Sequence, residues 1–127
     1  MTENGIGKIV IDASMKLHKE LGCGLLETVY EVILARELER HNLKAQRQVI
    51  VPIEYDGIKF DEAFRADIIV DNLVILELKS IESVTKAHKK QLLTYLRLTG
   101  MKLGFLLNFG EAFMKDGITR VVNGLEE

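Results

Sequence analysis

Ala66-Asp67-Ile68-Ile69-Val70-Asp71-Asn72-Leu73-Val74-Ile75-Leu76-Glu77-Leu78-Lys79 reads as two apolar strands folded back on each other about Asp71-Asn72. Leu73 to Leu78 is almost unbroken hydrocarbon, the pattern of a central strand covered on both faces. Asp67, Glu77 and Lys79 interrupt it. Burying a carboxylate without a partner is costly, so these groups require a counter-ion, a metal or a functional role. A divalent cation held by Asp67 and Glu77, with Lys79 beside it, meets that requirement.

Side chains alternate along a strand, so Glu77 and Lys79 share one face and Leu78 takes the other. Asp67 joins them only if the register sets it opposite Glu77. A two-residue Asp71-Asn72 turn pairs Val70 with Leu73, places Ala66 against Glu77 and turns Asp67 away. A three-residue loop, Asp71-Asn72-Leu73, or a bulge restores the match. One of these two devices is therefore predicted. The competing reading is a surface hairpin whose Glu77 and Lys79 form a solvated pair, and the run Leu73-Val74-Ile75-Leu76 argues against it. Asp67, Glu77 and the Leu78 backbone carbonyl are hard oxygen donors that suit Mg²⁺ or Mn²⁺ rather than zinc. Such an ion polarises a phosphoryl oxygen and acidifies bound water, while Lys79 orients that water or steadies developing negative charge.

Outward from this hairpin, the rest of the chain falls into regular elements. Ile6, Ile9, Val10, Ala13, Leu17 and Leu21 form a helical stripe ended by Gly22. A second helix is predicted from about Leu25 to His41, with Val29, Tyr30, Ile33, Leu34 and Leu38 on its core face. From residue 46 the period changes: Val49, Val51, Ile53 and Tyr55 alternate with Gln48, Ile50, Pro52 and Glu54, and Asp56-Gly57 is a hairpin turn. Pro52, the only proline, favours an edge strand. Ile58 to Val70 supplies one long bent strand or two short ones. A third helix covers residues 84 to 99, and Leu103–Phe109 and Ile118–Val122 are further strands. The order ααβββ(β)αββ predicts an α/β (α+β) fold, a central mixed β-sheet flanked by helices, as one domain over residues 1–127.

Composition sets outer bounds. Hydrophobic residues make up 47% and charged residues 28% of the 127-residue chain, ordinary for a globular protein. No apolar run approaches the roughly 20 residues that span a bilayer. Cys23 is the only cysteine, which excludes an internal disulfide and points to a cytoplasmic protein. The net charge of −2 is far from the basic excess of a nonspecific nucleic-acid binder. Any such binding must use local patches such as Lys86, His88, Lys89 and Lys90, bound cations or self-association. The plain reading of that cluster is a solvated helix face.

Two helical polar residues stand in apolar stripes. Val84, Ala87, Gln91, Tyr95 and Leu98 follow helical spacing, so Gln91 interrupts a face that Tyr95 shares. A solvent-reaching Gln at the stripe's edge is the alternative. Glu27 begins the stripe Glu27, Tyr30, Leu34 and Leu38. The helix macrodipole alone explains an acid in a first turn, and a further metal ligand is the functional alternative, with Gly24 permitting close backbone approach.

Taken in order, these residues resemble the PD-(D/E)xK nuclease-like superfamily, and within it the small proteins named for a GxxExxY motif. That motif reads here Gly24-Leu25-Leu26-Glu27-Thr28-Val29-Tyr30. The nuclease signature reads Asp67, then Glu77-Leu78-Lys79, followed by Gln91-Leu92-Leu93-Thr94-Tyr95, which is similar to the QxxxY element of RecB-type nucleases. The resemblance runs from about residue 5 to 123, with Ala66 in place of the motif's proline. It implies a restriction-endonuclease-like core, Asp67 and Glu77 as metal ligands, Lys79 as the catalytic lysine, Gln91 as an orienting residue and Glu27 as an accessory acid.

The expected function is Mg²⁺- or Mn²⁺-dependent phosphodiester hydrolysis of nucleic acid, DNA in the first instance. Tyr95, His88, Lys89 and Lys90 are the substrate-binding candidates. A homodimer or larger protein partner would enlarge the binding surface. The alternatives are a non-catalytic nucleic-acid-binding or assembly module that retains the nuclease fold, and an enzyme acting on another phosphate ester.

Overall fold

A computed structural model describes residues 1–126. The elements are α1 (Glu3–Leu21), α2 (Glu27–Arg40), β1 (Ala45–Tyr55), β2 (Ile58–Val70), β3 (Val74–Lys79), α3 (Lys86–Thr99), β4 (Leu103–Asn108), α4 (Met114–Gly117) and β5 (Ile118–Val122). The five strands form one sheet in the order β1-β2-β3-β4-β5. All neighbours are antiparallel except β3 and β4, which are parallel and joined across α3. The mixed sheet flanked by helices is the predicted architecture, with β3 at its centre and Pro52 on the edge strand β1.

Hydrophobic burial divides into two layers. On one face Ile6, Val10, Ala13 and Leu17 of α1 and Tyr30, Leu34 and Leu38 of α2 pack on Ile68, Val70, Leu76 and Leu78. On the other, Leu92 and Leu96 of α3 pack on Phe64, Ala66, Ile69, Ile75 and Leu106. Gly104 lets α3 approach closely: a Cβ there would lie 3.0 Å from Leu92 Cδ1.

Several local expectations need correction. Val29 and Ile33 are exposed, because α2 turns Tyr30, Leu34 and Leu38 inward and leaves their neighbours in solvent. Leu21 is also exposed, at the last turn of α1. On α3 the buried stripe is the i, i+4 pair Leu92 and Leu96. Gln91 is exposed and interrupts no buried face, Ala87 and Leu98 are exposed, and Val84 and Tyr95 only flank the core. The short helix α4 was not foreseen. Ile58 to Val70 forms one strand, whose register against β1 shifts between Val51 and Ile53, beside Pro52.

The hairpin loop settles the register question. Val70 pairs with Val74, Ile69 with Ile75 and Ile68 with Leu76, so the loop is the three-residue Asp71-Asn72-Leu73. Asp71 and Asn72 both take left-handed backbone conformations, which their short polar side chains tolerate. Just beyond the last of these pairs Asp67 meets Glu77, its backbone N–H donating to the Glu77 carboxyl.

Candidate active site

The β2–β3 ladder ends at Ile68–Leu76, and beyond it the carboxylates replace backbone pairing. The Asp67 backbone N–H donates to Glu77 Oε2 at 2.8 Å, and the Leu78 N–H donates to Asp67 Oδ2 at 2.9 Å. Each acid thus satisfies an amide that the parting strands leave open. Side-chain direction also breaks here: Ala66 points into the α3 layer and Ile68 into the α1/α2 layer, so alternation fails at Asp67.

Ile75 lies in the α3 layer, and strand alternation places Glu77 and Lys79 on that same side. The Leu78 carbonyl leaves the strand on the side of its own N–H, towards Asp67. Both parallel strands deliver their C-terminal ends here, the position of ligand crevices in open α/β sheets.

Burial dominates the electrostatics of Glu77. Its carboxyl is pushed up from 4.5 to about 8, first by desolvation and then by the Asp67 charge, against the pull of Lys79. Lys79 is half-buried and forms no ion pair among the described residues. On the α3 side Tyr95 stacks on Phe64, with ring centroids 3.8 Å apart. Burial raises the Tyr95 phenol above its ordinary pKa, and the charges of Glu77 and Asp67 add to the effect.

Glu31, which the sequence reading passed over, is the helical acid whose charge reaches Glu77. It is buried and accepts hydrogen bonds from Arg47 Nε at 2.9 Å and Gln48 Nε2 at 2.8 Å, with Arg47 Nη2 at 2.7 Å. Gln48 Nε2 also lies 3.5 Å from Asp67 Oδ1. A signal was present: Glu31 follows Glu27 by one helical turn and adjoins buried Tyr30. Glu27 itself is exposed and lines a depression of about 410 Å³ with Gly24, Leu25, Leu26, Thr28 and Ser80, the residue after Lys79.

The remaining candidates lie on α3. Lys89, Lys90 and Gln91 are exposed on its first turns. The His88 ring is engaged in capping that helix, its Nδ1 accepting from the Thr85 N–H at 3.0 Å. Tyr30 of the GxxExxY stretch ties down the loop before α2: its hydroxyl donates to the Gly22 carbonyl at 2.7 Å and accepts from the Leu25 N–H at 3.1 Å.

Among the described residues no three His, Cys, Asp or Glu side chains converge as a metal cage. Two carboxylates with a neighbouring carbonyl still fit Mg²⁺, which keeps several waters and takes few protein ligands.

The sequence profile of the PD-(D/E)XK nuclease superfamily matches residues 4–121. The chain belongs to that superfamily. Its five-stranded mixed sheet between helices is accordingly a restriction-endonuclease-like fold. The solved structure of SSO0001 is similar at 22% identity and a TM-score of 0.46, over 95% of this chain and 67% of that one. A likeness of that size identifies neither substrate nor partner. No curated protein matches the chain. No helix among the described residues is long and apolar enough to cross a membrane.

Proposed function

We propose that this PD-(D/E)XK protein is a divalent-metal-dependent nuclease that hydrolyses phosphodiester bonds in DNA. The observation that carries the reading is the meeting of Asp67 and Glu77 just beyond the last ladder pair, with the Asp67 N–H on Glu77 Oε2, the Leu78 N–H on Asp67 Oδ2 and Lys79 on the Glu77 face. Asp67, Glu77 and the Leu78 carbonyl are the residues that would hold Mg²⁺ or Mn²⁺. Such an ion, when bound, supplies Lewis-acid stabilisation of the phosphoryl oxygens and lowers the pKa of a coordinated water. Lys79 orients the attacking water and offsets negative charge developing on the phosphate. The bonds from the Asp67 and Leu78 amides keep both carboxylates in place before substrate arrives.

The Gly24–Tyr30 stretch supports placement in the GxxExxY group, with Glu27 as an accessory acid at the rim of the site. Lys89, Lys90 and Tyr95 lie on the α3 side and are suited to contact the nucleic-acid backbone, His88 borders them, and Gln91 on the same helix is the orienting residue. A homodimer or a larger partner would lengthen this small surface, and cytoplasmic residence belongs to the same reading. Cleavage of labelled DNA in Mg²⁺ or Mn²⁺, lost in Asp67→Ala and Lys79→Ala, is the expected result. Activity at the wild-type level in both variants would remove the assignment.

A non-catalytic nucleic-acid-binding or assembly module is the second reading, favoured by the net charge of −2 and the two-carboxylate site. Calorimetry separates the two: no heat of Mg²⁺ or Mn²⁺ binding at millimolar concentration favours the module.

A further inference from the structure

Gln48 has φ +50, a left-handed conformation uncommon for a residue other than glycine, asparagine or aspartate. The other non-glycine residues with positive φ are Asn42, Asp56, Asp71 and Asn72, all Asn or Asp in turns. Among the described residues Gln48 alone of these lies inside a strand, on β1 across from Asp67, between the pairs Arg47–Ile68 and Val49–Ala66. Side-chain direction reverses around it, since Ala45 packs in the α1/α2 layer and Val49 in the α3 layer. Such a strained residue persists where its surroundings fix it, and these outliers gather at functional sites.

What the twist achieves is visible in the contacts. One amide nitrogen, with two hydrogens to give, reaches Glu31 Oε1 at 2.8 Å and Asp67 Oδ1 at 3.5 Å. The other Glu31 oxygen is fixed by Arg47. The Leu78 N–H takes Asp67 Oδ2, so Gln48 addresses the oxygen left over. We infer that Gln48 is a positioning residue: a neutral clamp that spaces two like-charged carboxylates and sets the rotation of Asp67. Glutamine suits the task because a carboxylate there would repel both acids, and a lysine would add a cation beside the site. The activity arm of the following test rests on the nuclease reading, whereas its exchange arm does not.

The test compares wild type with Gln48→Gly, which relieves the backbone, and Gln48→Met, which keeps side-chain length but removes the donors. Hydrogen exchange of the Leu78 amide is read against the Ile75 amide of the same strand. DNA cleavage is followed in Mn²⁺. In both variants Leu78 exchange is expected to accelerate about tenfold relative to Ile75. Cleavage should lose about ten- to a hundredfold in kcat at unchanged KM, the usual effect of removing a partner behind a metal ligand. Leu78 exchange at the wild-type rate in both variants overturns the inference whatever the cleavage rate, and so does a rise in KM with kcat unchanged. If wild type cleaves no DNA, the nuclease reading fails, while the Leu78 exchange rates still decide the role of Gln48.

Discussion

Asp67 and Glu77 face each other one step beyond the last β2–β3 ladder pair, and the Asp67 amide donates to Glu77 Oε2 at 2.8 Å. Together with the bond from Leu78 to Asp67 Oδ2, this makes the acids part of the strand edge rather than appendages to it. A buried Glu77 and a half-buried Asp67 are thereby tolerated within a sheet, at the cost of the raised pKa of Glu77.

Asp67 should separate stability from activity. Asp67→Asn retains an acceptor for the Leu78 N–H, so its stability is expected within about 0.5 kcal/mol of wild type. Asp67→Ala leaves that buried amide without a partner, a loss of about 1–3 kcal/mol. Metal-dependent cleavage should fall by more than about a hundredfold in both, beyond what outer partners of a metal site usually cost. Urea unfolding alongside a cleavage assay checks the pair. Equal stability of the two variants would show that the Asp67–Leu78 bond contributes nothing.

Glu77 makes stability depend on pH with a definite sign. Its carboxyl is raised from 4.5 to about 8, so between those values the native state holds a proton that the unfolded chain has released. The unfolded state then binds fewer protons, and stability falls as pH rises, by at most about 1.4 kcal/mol per pH unit. Glu77→Gln removes this slope and should raise the melting temperature by several degrees at pH 8 while leaving it near wild type at pH 4. Thermal melts across that range, without added metal, decide it.

The sequence placed the hairpin, the central strand and the sheet's edge correctly because each has a strong local signal: Asp56-Gly57, the run from Leu73 to Leu78, and Pro52. Loop length after Val70 was ambiguous, since only pairing across the sheet distinguishes two loop residues from three. The α3 stripe was misjudged because Gln91 and Leu92 are adjacent in sequence but about 100° apart around the helix, and only contact with the sheet selects Leu92. Glu31 and Gln48 escaped notice for a similar reason. Their significance arises from a tertiary meeting of α2 with β1, which the one-turn spacing of Glu27 and Glu31 does not by itself reveal.

Lys79 and Asp67 act on Glu77 with opposite signs. The Lys79 charge lowers the Glu77 pKa and the Asp67 charge raises it. Lys79→Met should therefore shift the titration of Glu77 to higher pH, and Asp67→Asn should shift it lower. Carboxyl ¹³C chemical shifts of Glu77 followed by NMR give both directions in one experiment. The Lys79→Met shift matters most, because a downward or null movement would place the ammonium too far from Glu77 to act on the same water.

Tyr30→Phe tests whether the tyrosine of the GxxExxY stretch belongs to the scaffold or to the chemistry. Phenylalanine keeps the ring stacked on Phe109, whose centroid lies 4.3 Å away. It loses the bonds to the Gly22 carbonyl and from the Leu25 N–H. Leu25 is partly open to solvent, so water can replace one of these, and the expected loss is about 1–2 kcal/mol. The consequence should be local: residues 22–25 loosen, and with them the depression where Glu27 and Ser80 meet. Faster amide exchange at Leu25, with unchanged exchange at Leu78, is the expected pattern in Tyr30→Phe. Cleavage should fall only a few-fold, through Glu27, because Asp67 and Glu77 keep the amide bonds that hold them. A loss as deep as that of Asp67→Asn would instead put the Tyr30 hydroxyl in contact with the reaction.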